Sequence, residues 1–298
     1  MTDHFRVVHV SDIHLGLNHD YAQRNWDAVV AYVNETKPDL VINTGDTSFL
    51  DPDADDDLGH ARGQMDRLQT PWLILPGNHD VGDTHPEPWI DIRVNDSRLD
   101  RYRRHFGDDF WARDLGQWRL IGLNSLVFGS KLAAEDRQWH WLEAELGEAK
   151  GRPIALFLHK PMCNHHINED SNTSMTIGEA ARRRLNQVLG DADVQLVGSG
   201  HVHEYRTWIA DGRLMVSAPT TAFIHAVDQP PRNHGGMKRV GLVEYTFTPD
   251  AVSFRMVEPP GIEQLDAHVI RTDATRALIA TMTERGKQEM AALARAAE

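Results

Sequence analysis

The chain reads as a layered α/β protein with helices outside two packed sheets, and two observations carry that reading. Short runs rich in Val, Ile and Leu recur through the first part of the chain, each ending in polar residues and glycine. Segments of helical period lie between these runs, and a late series of closely spaced strand-like runs follows them.

The buried strands are expected at residues 5–10, 40–43, 72–75, 119–123, 153–158 and 194–197, apolar stretches suited to a sheet covered on both faces. Helices are expected at 21–36, 58–68, 96–106, 134–150 and 177–189, where apolar residues recur at helical spacing. Runs at 205–210, 213–217, 239–247 and 251–257, with turn residues such as Asp211-Gly212 and Pro249-Asp250 between them, read as antiparallel strands. From Asp273 onward an Ala- and Arg-rich tail predicts a helix with a weak point at Gly286. Its stripe of Leu278, Ile279 and Met282 is expected to pack against the same chain.

Three stretches read as loops. Residues 51–57 hold five aspartates in seven positions but lack the glycine and terminal glutamate of an EF-hand, so the run is expected to be a solvated charge cluster. Residues 163–176 are polar and aperiodic, and 225–238, with Pro230-Pro231 and Gly235-Gly236, form a loop suited to cover a crevice. The organisation expected is a main domain over 1–260 and a helical extension over 261–298.

With 298 residues and 41% hydrophobic content the chain can bury a large core. Its net charge of -13 argues against duplex nucleic acid as a partner, because such binding rests on Lys and Arg neutralising phosphates. Small phosphate esters remain compatible, since bound divalent metals reverse the local field. A lone cysteine, Cys163, excludes an internal disulfide framework and suggests a reducing compartment. No run approaches the roughly 20 apolar residues of a membrane span, and the start lacks the apolar core of a secretory signal. A cytoplasmic protein is expected.

Four motifs fall at or just beyond predicted strand ends: Ser11-Asp12-Ile13-His14, Thr44-Gly45-Asp46, Gly77-Asn78-His79-Asp80 and Gly200-His201-Val202-His203. His159 ends a fifth strand. Strand tips of such a sheet converge on one crevice, so these Asp, Asn and His side chains can meet. Residues two apart on a strand face one side, which would let Asp12 with His14, and His201 with His203, each grip a metal from one segment. Glycines 45, 77 and 200 would let the chain turn just before each ligand. Two metals roughly 3.5 to 4 Å apart would polarise a phosphoryl group, generate hydroxide near neutral pH and stabilise a leaving oxygen. Each piece alone is weak in a chain with 17 histidines; five in order are not.

The ordered set resembles the calcineurin-like metallophosphoesterase superfamily, and in length and spacing its bacterial cyclic-AMP phosphodiesterase-like (class III) members. The resemblance implies a four-layer α/β/β/α sandwich and two metal ions. One would be held by Asp12, His14, Asp46 and His203, the other by Asp46, Asn78, His159 and His201, with Asp46 bridging. It implies that His79 is a general acid or charge stabiliser near the leaving oxygen. Iron and manganese are favoured as metals, with zinc or cobalt as alternatives. The activity implied is hydrolysis of phosphodiesters, with cyclic nucleotides among the candidate substrates. A phosphomonoesterase on the same site and a non-catalytic scaffold are the competing readings. Two departures stand out: Thr47-Ser48 after Gly-Asp where relatives often have an apolar residue, and Lys160 after His159 where they often have a second histidine. Asn18, His19 and His165, with Asn78 and His79, are candidate substrate contacts, and homo-oligomerisation is left open.

Overall fold

The computed structural model describes residues 4–85, 92–170, 174–225 and 234–296. The expected loop at 225–238 therefore lies largely outside the described residues, as does part of the one at 163–176.

Two mixed sheets form the centre. The first has strands β1 (Phe5–Val10), β2 (Leu40–Asn43) and β3 (Trp72–Ile74), with β10 (Leu242–Phe247) and β11 (Val252–Val257) at its other side, in the order β11-β10-β1-β2-β3. The second runs β4 (Trp111–Leu115), β5 (Trp118–Leu123), β6 (Ile154–Leu158), β7 (Val194–Ser199), β9 (Arg213–Ser217), β8 (Arg206–Ala210). Pairing is parallel along β1-β2-β3 and along β5-β6-β7-β9, and antiparallel at the margins.

The period of two along each strand distributes its residues between different layers. Val7, Leu40 and Ile42 meet Phe157, Leu196 and Val216 between the sheets. Val8, Val10 and Val41 face outward, onto helices α1 (Gln23–Thr36), α2 (Asp55–Met65) and α4 (Asp96–Phe106), through Trp26, Val29, Leu58 and Leu99. Leu156 and Leu158 do the same on the second sheet, onto α5 (Ala133–Glu148) and α6 (Glu179–Leu189), through Trp139 and Leu185. The result is the four-layer α/β/β/α sandwich, with the expected central strands present and their ends shifted by a residue or two. No described helix is long and apolar enough to cross a membrane.

The late strands pair antiparallel as expected, in two hairpins that belong to different sheets, β8-β9 and β10-β11, and β9 also pairs in parallel with β7. A strand at 111–115 and a four-residue helix α3 (Asn78–Val81) went unforeseen, each too short for periodicity to register. The acidic run is solvated only in part: Asp55 and Asp56 are exposed, while Asp51 and Asp57 are buried. Asp55, Asp56 and Asp57 open α2, where carboxylates suit the helix dipole. Asp51 and Asp53 meet arginines distant in sequence: Asp53 pairs with Arg98 at 2.6 Å and Arg101 at 2.8 Å, and Asp51 pairs with Arg285 at 2.5 Å.

Arg285 belongs to α7 (Asp273–Ala296), which continues through Gly286. Its apolar stripe packs on the same chain, Met282 in a cluster with Phe49, Leu50 and Ile92, flanked by Leu278 and Ile279. Arg98 of α4 lies fully buried between Asp53 and Glu289 of α7, 2.6 Å from each. Arg98→Ala removes the buried guanidinium shared by Asp53 and Glu289, leaving Asp53 on Arg101 and Arg285, and is expected to destabilise the fold by about 3 kcal/mol, the low end for breaking a buried pair. A urea midpoint within error of the parent would contradict this.

Candidate metal centre

The carboxyl ends of β1, β2, β3, β6 and β7 converge, and the loops leaving them are stitched together by backbone hydrogen bonds. The amides of Asp12 and His14 donate to the carbonyls of Gly45 and Asp46 at 2.9 and 3.0 Å, and Gly200 N–H donates to the His159 carbonyl at 2.9 Å. From the end of β9, Thr220 Oγ1 donates to the Asp12 carbonyl and Thr221 N–H to that of Ser11.

Asp12, His14, Asp46, His201 and His203 all hold left-handed backbone, with φ between 46° and 70°. Residues other than glycine seldom adopt it, Asn, Asp and His more readily than the rest, and each such residue costs on the order of 1–3 kcal/mol. The same-side geometry of Asp12 with His14 and of His201 with His203 thus arises from alternating loop conformations beyond the strand, not from the strand pleat expected. The glycines act differently too. Only Gly45 among the three has positive φ. A Cβ on Gly77 would stand 2.1 Å from Asp46 Oδ1, and one on Gly200 would stand 1.8 Å from Ser11 Oγ, so these two permit close approach rather than a turn.

Four imidazoles are oriented by carbonyls, which can only accept. Nδ1–H of His14 donates to Phe49 O at 2.9 Å, of His159 to Thr44 O at 2.8 Å, of His203 to Phe223 O at 2.6 Å and of His79 to Leu50 O at 2.9 Å. Their Nε2 atoms therefore point inward. His201 is turned the other way, with Nε2–H donating to Ser174 O at 3.1 Å and Nδ1 facing in. The consequence is an accumulation of lone pairs. His14 Nε2 and His203 Nε2 lie 3.1 Å apart, as do His159 Nε2 and His201 Nδ1. Asp12 Oδ1 is 3.4 Å from His203 Nε2, and Asp46 Oδ2 is 3.4 Å from His159 Nε2. Asn78 Oδ1 is 3.1 Å from the same His159 atom.

Such a donor set fits cations, and Asp12 with His14 and His203, and Asp46 with His159 and His201, form two groups close enough to hold one each. His79 with His14 and Asp46 forms a third such group; its Nε2 lies 3.8 Å from Asp46 Oδ2. Electrostatics point the same way. Burial would raise the Asp46 carboxyl, yet the imidazoles of His159 and His79 hold it well below the usual carboxylate range. Burial likewise opposes ionisation of Asp12, and His203 outweighs it. Burial pushes His14 down to about 3, while at His159 the Asp46 carboxylate overcomes burial and lifts the imidazole to about 9. The surroundings thus favour a positive charge beside Asp46.

The cluster floors a cleft of about 140 Å³ that opens to solvent. His14, Asp46, Asn78, His79, His201 and His203 line it, with Phe223 stacked on His14 at 5.0 Å, His225 beside His203 at 5.0 Å, and Met175 and residues of α7 completing the lining. Asn18, His19 and His165 are not brought there. Asn18 is exposed, His19 stacks on Phe49 at 4.3 Å, and the exposed His165 accepts from Arg206 at 3.2 Å. The loop after His14 folds back on Phe49, and none of the three lines the cleft.

Both departures from the family pattern have partners. Ser48 Oγ and the amides of Thr47 and Ser48 donate to the buried Asp80 carboxylate, which also accepts from Gly77 N–H at 2.8 Å. Asp80 so clamps the Asp46 loop to the Asn78 loop, a role the motif alone did not reveal. Lys160 is buried and pairs with Asp83 at 2.8 Å. His9 was also missed: it sits in β1 under the cluster, bonded to Thr44 Oγ1 at 2.9 Å. Cys163 is buried and its thiol is pushed up to about 11 by burial, consistent with an inert packing residue.

A family model described as calcineurin-like phosphoesterase matches residues 5–205 of this chain. The chain belongs to that family. Among curated members, a probable glycerophosphodiester phosphodiesterase, GpdQ, of Arcobacter nitrofigilis is 25% identical over 265 residues, 83% of this chain and 86% of that protein. A probable cyclic nucleotide phosphodiesterase of Xenorhabdus bovienii is 23% identical over 236 residues, 73% of this chain and 86% of its own. The fold of this calcineurin-like chain is shared by a dimetal phosphatase from Danio rerio, with TM-score 0.58 and 13% identity over 86% of this chain and 96% of that one. It is shared as well by GAP50, the anchor in the inner membrane complex of Plasmodium, with TM-score 0.61 and 12% identity over 87% and 86%.

His9 and His14 both fall from 6.5 to about 3 in the fold, with burial the main cause. The unfolded chain binds more protons than the fold between those values. Their contribution is full above pH 6.5 and is lost as pH falls towards 3. Metal-stripped protein is therefore expected to lose stability steadily in urea titrations from pH 7 to 4. A flat profile would contradict the buried neutral assignment.

Proposed function

We propose that this phosphoesterase hydrolyses phosphodiesters at a two-metal centre. One ion would sit on Asp12, His14, Asp46 and His203, the other on Asp46, Asn78, His159 and His201, with Asp46 bridging. When bound, the ions would supply Lewis acidity, lowering the pKa of the attacking water and neutralising charge on the phosphoryl oxygens. The chain's own residues do the rest. The carbonyl-anchored imidazoles keep their lone pairs fixed on the centre, so little reorganisation accompanies charge build-up. Water oxygen forms the new bond to phosphorus as one ester P–O bond breaks. His79 stands with Nδ1–H on Leu50 O and its Nε2 edge towards the centre, where, as imidazolium, it hands a proton to the departing oxygen.

The observation that carries the diester reading is the extent of the cleft, which continues past the cluster and leaves room for a second ester group. The two bacterial relatives named for diester hydrolysis support it. Because the fold also occurs in a protein titled an anchor, catalysis rests on the ligand set and not on the fold. Iron and manganese are the metals we favour on ligand chemistry, with zinc or cobalt as alternatives, and cyclic nucleotides are candidate substrates. A reducing cytoplasm is the location we propose, on the strength of a single buried thiol.

Metal-stripped protein resupplied with manganese is expected to cleave bis(4-nitrophenyl) phosphate with higher kcat/KM than 4-nitrophenyl phosphate. Preference for the monoester would make it a phosphatase, and inactivity on both would favour a scaffold. Asp46→Ala should lower turnover by on the order of 10³-fold, the scale of losing a preorganised charge. Near-parental turnover in that variant would remove the bridging role.

A further inference from the structure

The cleft is built from two unlike halves. Its floor is the cluster of His and Asp already described. Its far wall is apolar: Leu50 and Pro52 from the loop after Asp46, Ile92, and Ile270, Ile279 and Met282 from the C-terminal segment. The last three lie beyond residue 205, where the family match ends. Among the described residues, no Lys or Arg lines this cleft, and the carboxylate of Asp83 is matched to Lys160. A second anionic group on the substrate would therefore meet no countercharge there, whereas a hydrocarbon group would bury apolar area on both sides.

The wall is held firmly. Met282 is buried against Phe49 and Leu50, and α7 is pinned on its polar side by Arg285 to Asp51 and by Glu289 to Arg98. The first pair joins the helix to the loop that follows Asp46 and the second joins it to α4, whose Arg98 also holds Asp53 of that loop, so wall and catalytic floor keep one spacing.

We infer that α7 is the specificity wall of the site, and that the substrate is a phosphodiester whose retained ester group is apolar, an alkyl or aryl chain lying against Ile279 and Met282. The inference rests on the diester reading and narrows it. In the reaction, water adds to phosphorus, the more acidic alcohol leaves with a proton, and the apolar group stays on the monoester product.

The test compares methyl 4-nitrophenyl phosphate with hexyl 4-nitrophenyl phosphate, two diesters with one leaving group. The manganese-loaded protein is expected to favour the hexyl ester in kcat/KM by at least roughly tenfold, mostly through KM, since apolar contacts discriminate on that scale. Ile279→Ala and Met282→Ala should each shrink the ratio at least about threefold, and Met282→Leu, which keeps the volume, should retain it. Equal rates on the two esters, or a ratio untouched by both alanine variants, would overturn the wall. Binding is measured in parallel by titration calorimetry of hexylphosphonate against methylphosphonate on the loaded parent protein. If neither diester is cleaved but hexylphosphonate binds more tightly, the diester reading falls and the apolar wall stands. If the two phosphonates bind alike, the wall falls whatever the protein cleaves.

Discussion

Two buried carboxylates, three buried imidazoles and the half-buried His201 share one small volume, and the balance of charge within it governs the rest of the molecule. Carbonyl partners hold the ring N–H groups outward, so that in the neutral imidazoles lone pairs face one another at 3.1 Å. In a low-dielectric interior that arrangement is unfavourable until a positive charge enters. The Asp46 carboxylate favours positive charge beside it, raising the His159 imidazole to about 9 against the effect of its own burial. Cations at the centre would answer the same demand for every ligand at once.

To bring the ligands so close, the backbone accepts conformations it would otherwise avoid. Five of the ligating candidates are left-handed, and two glycines stand where any side chain would strike Asp46 or Ser11. Such strain persists only where the surroundings over-determine it. Here they do: parallel strands of two sheets deliver the loops, Asp80 ties the Asp46 loop to the Asn78 loop, and Thr220 ties the end of β9 to Asp12. Apolar packing on both faces of each sheet supplies the rigidity.

Much of this was legible in the sequence because strand ends and ligands fall together. Asp12, Asp46, Asn78, His159 and His201 each follow an apolar run that ends in glycine or polar residues, and those runs became β1, β2, β3, β6 and β7. What stayed hidden depends on partners far along the chain. The aspartates at 51 and 53 read as a solvated run because the arginines that bury them lie at 98, 101 and 285. Asp80 looked like the end of a motif until the amides of Thr47 and Ser48 were found on it. His19 and His165 suggested a pocket by proximity in sequence, but stacking on Phe49 and a bond from Arg206 hold them elsewhere. The C-terminal stripe showed that α7 would pack, though not that it would pack beside the metal ligands.

The division of labour is accordingly between a family floor and a local wall. The ligand cluster lies within the matched region, while the helix that shapes the far side of the cleft lies outside it. The central claim is that Asp46 sits between two cations held by this ligand set. Anomalous diffraction from crystals of manganese-loaded protein tests it most directly. Two ions per chain, both in contact with Asp46 and sharing the remaining six ligands between them, are the predicted result; a single ion, or ions that leave Asp46 uncoordinated, would contradict it.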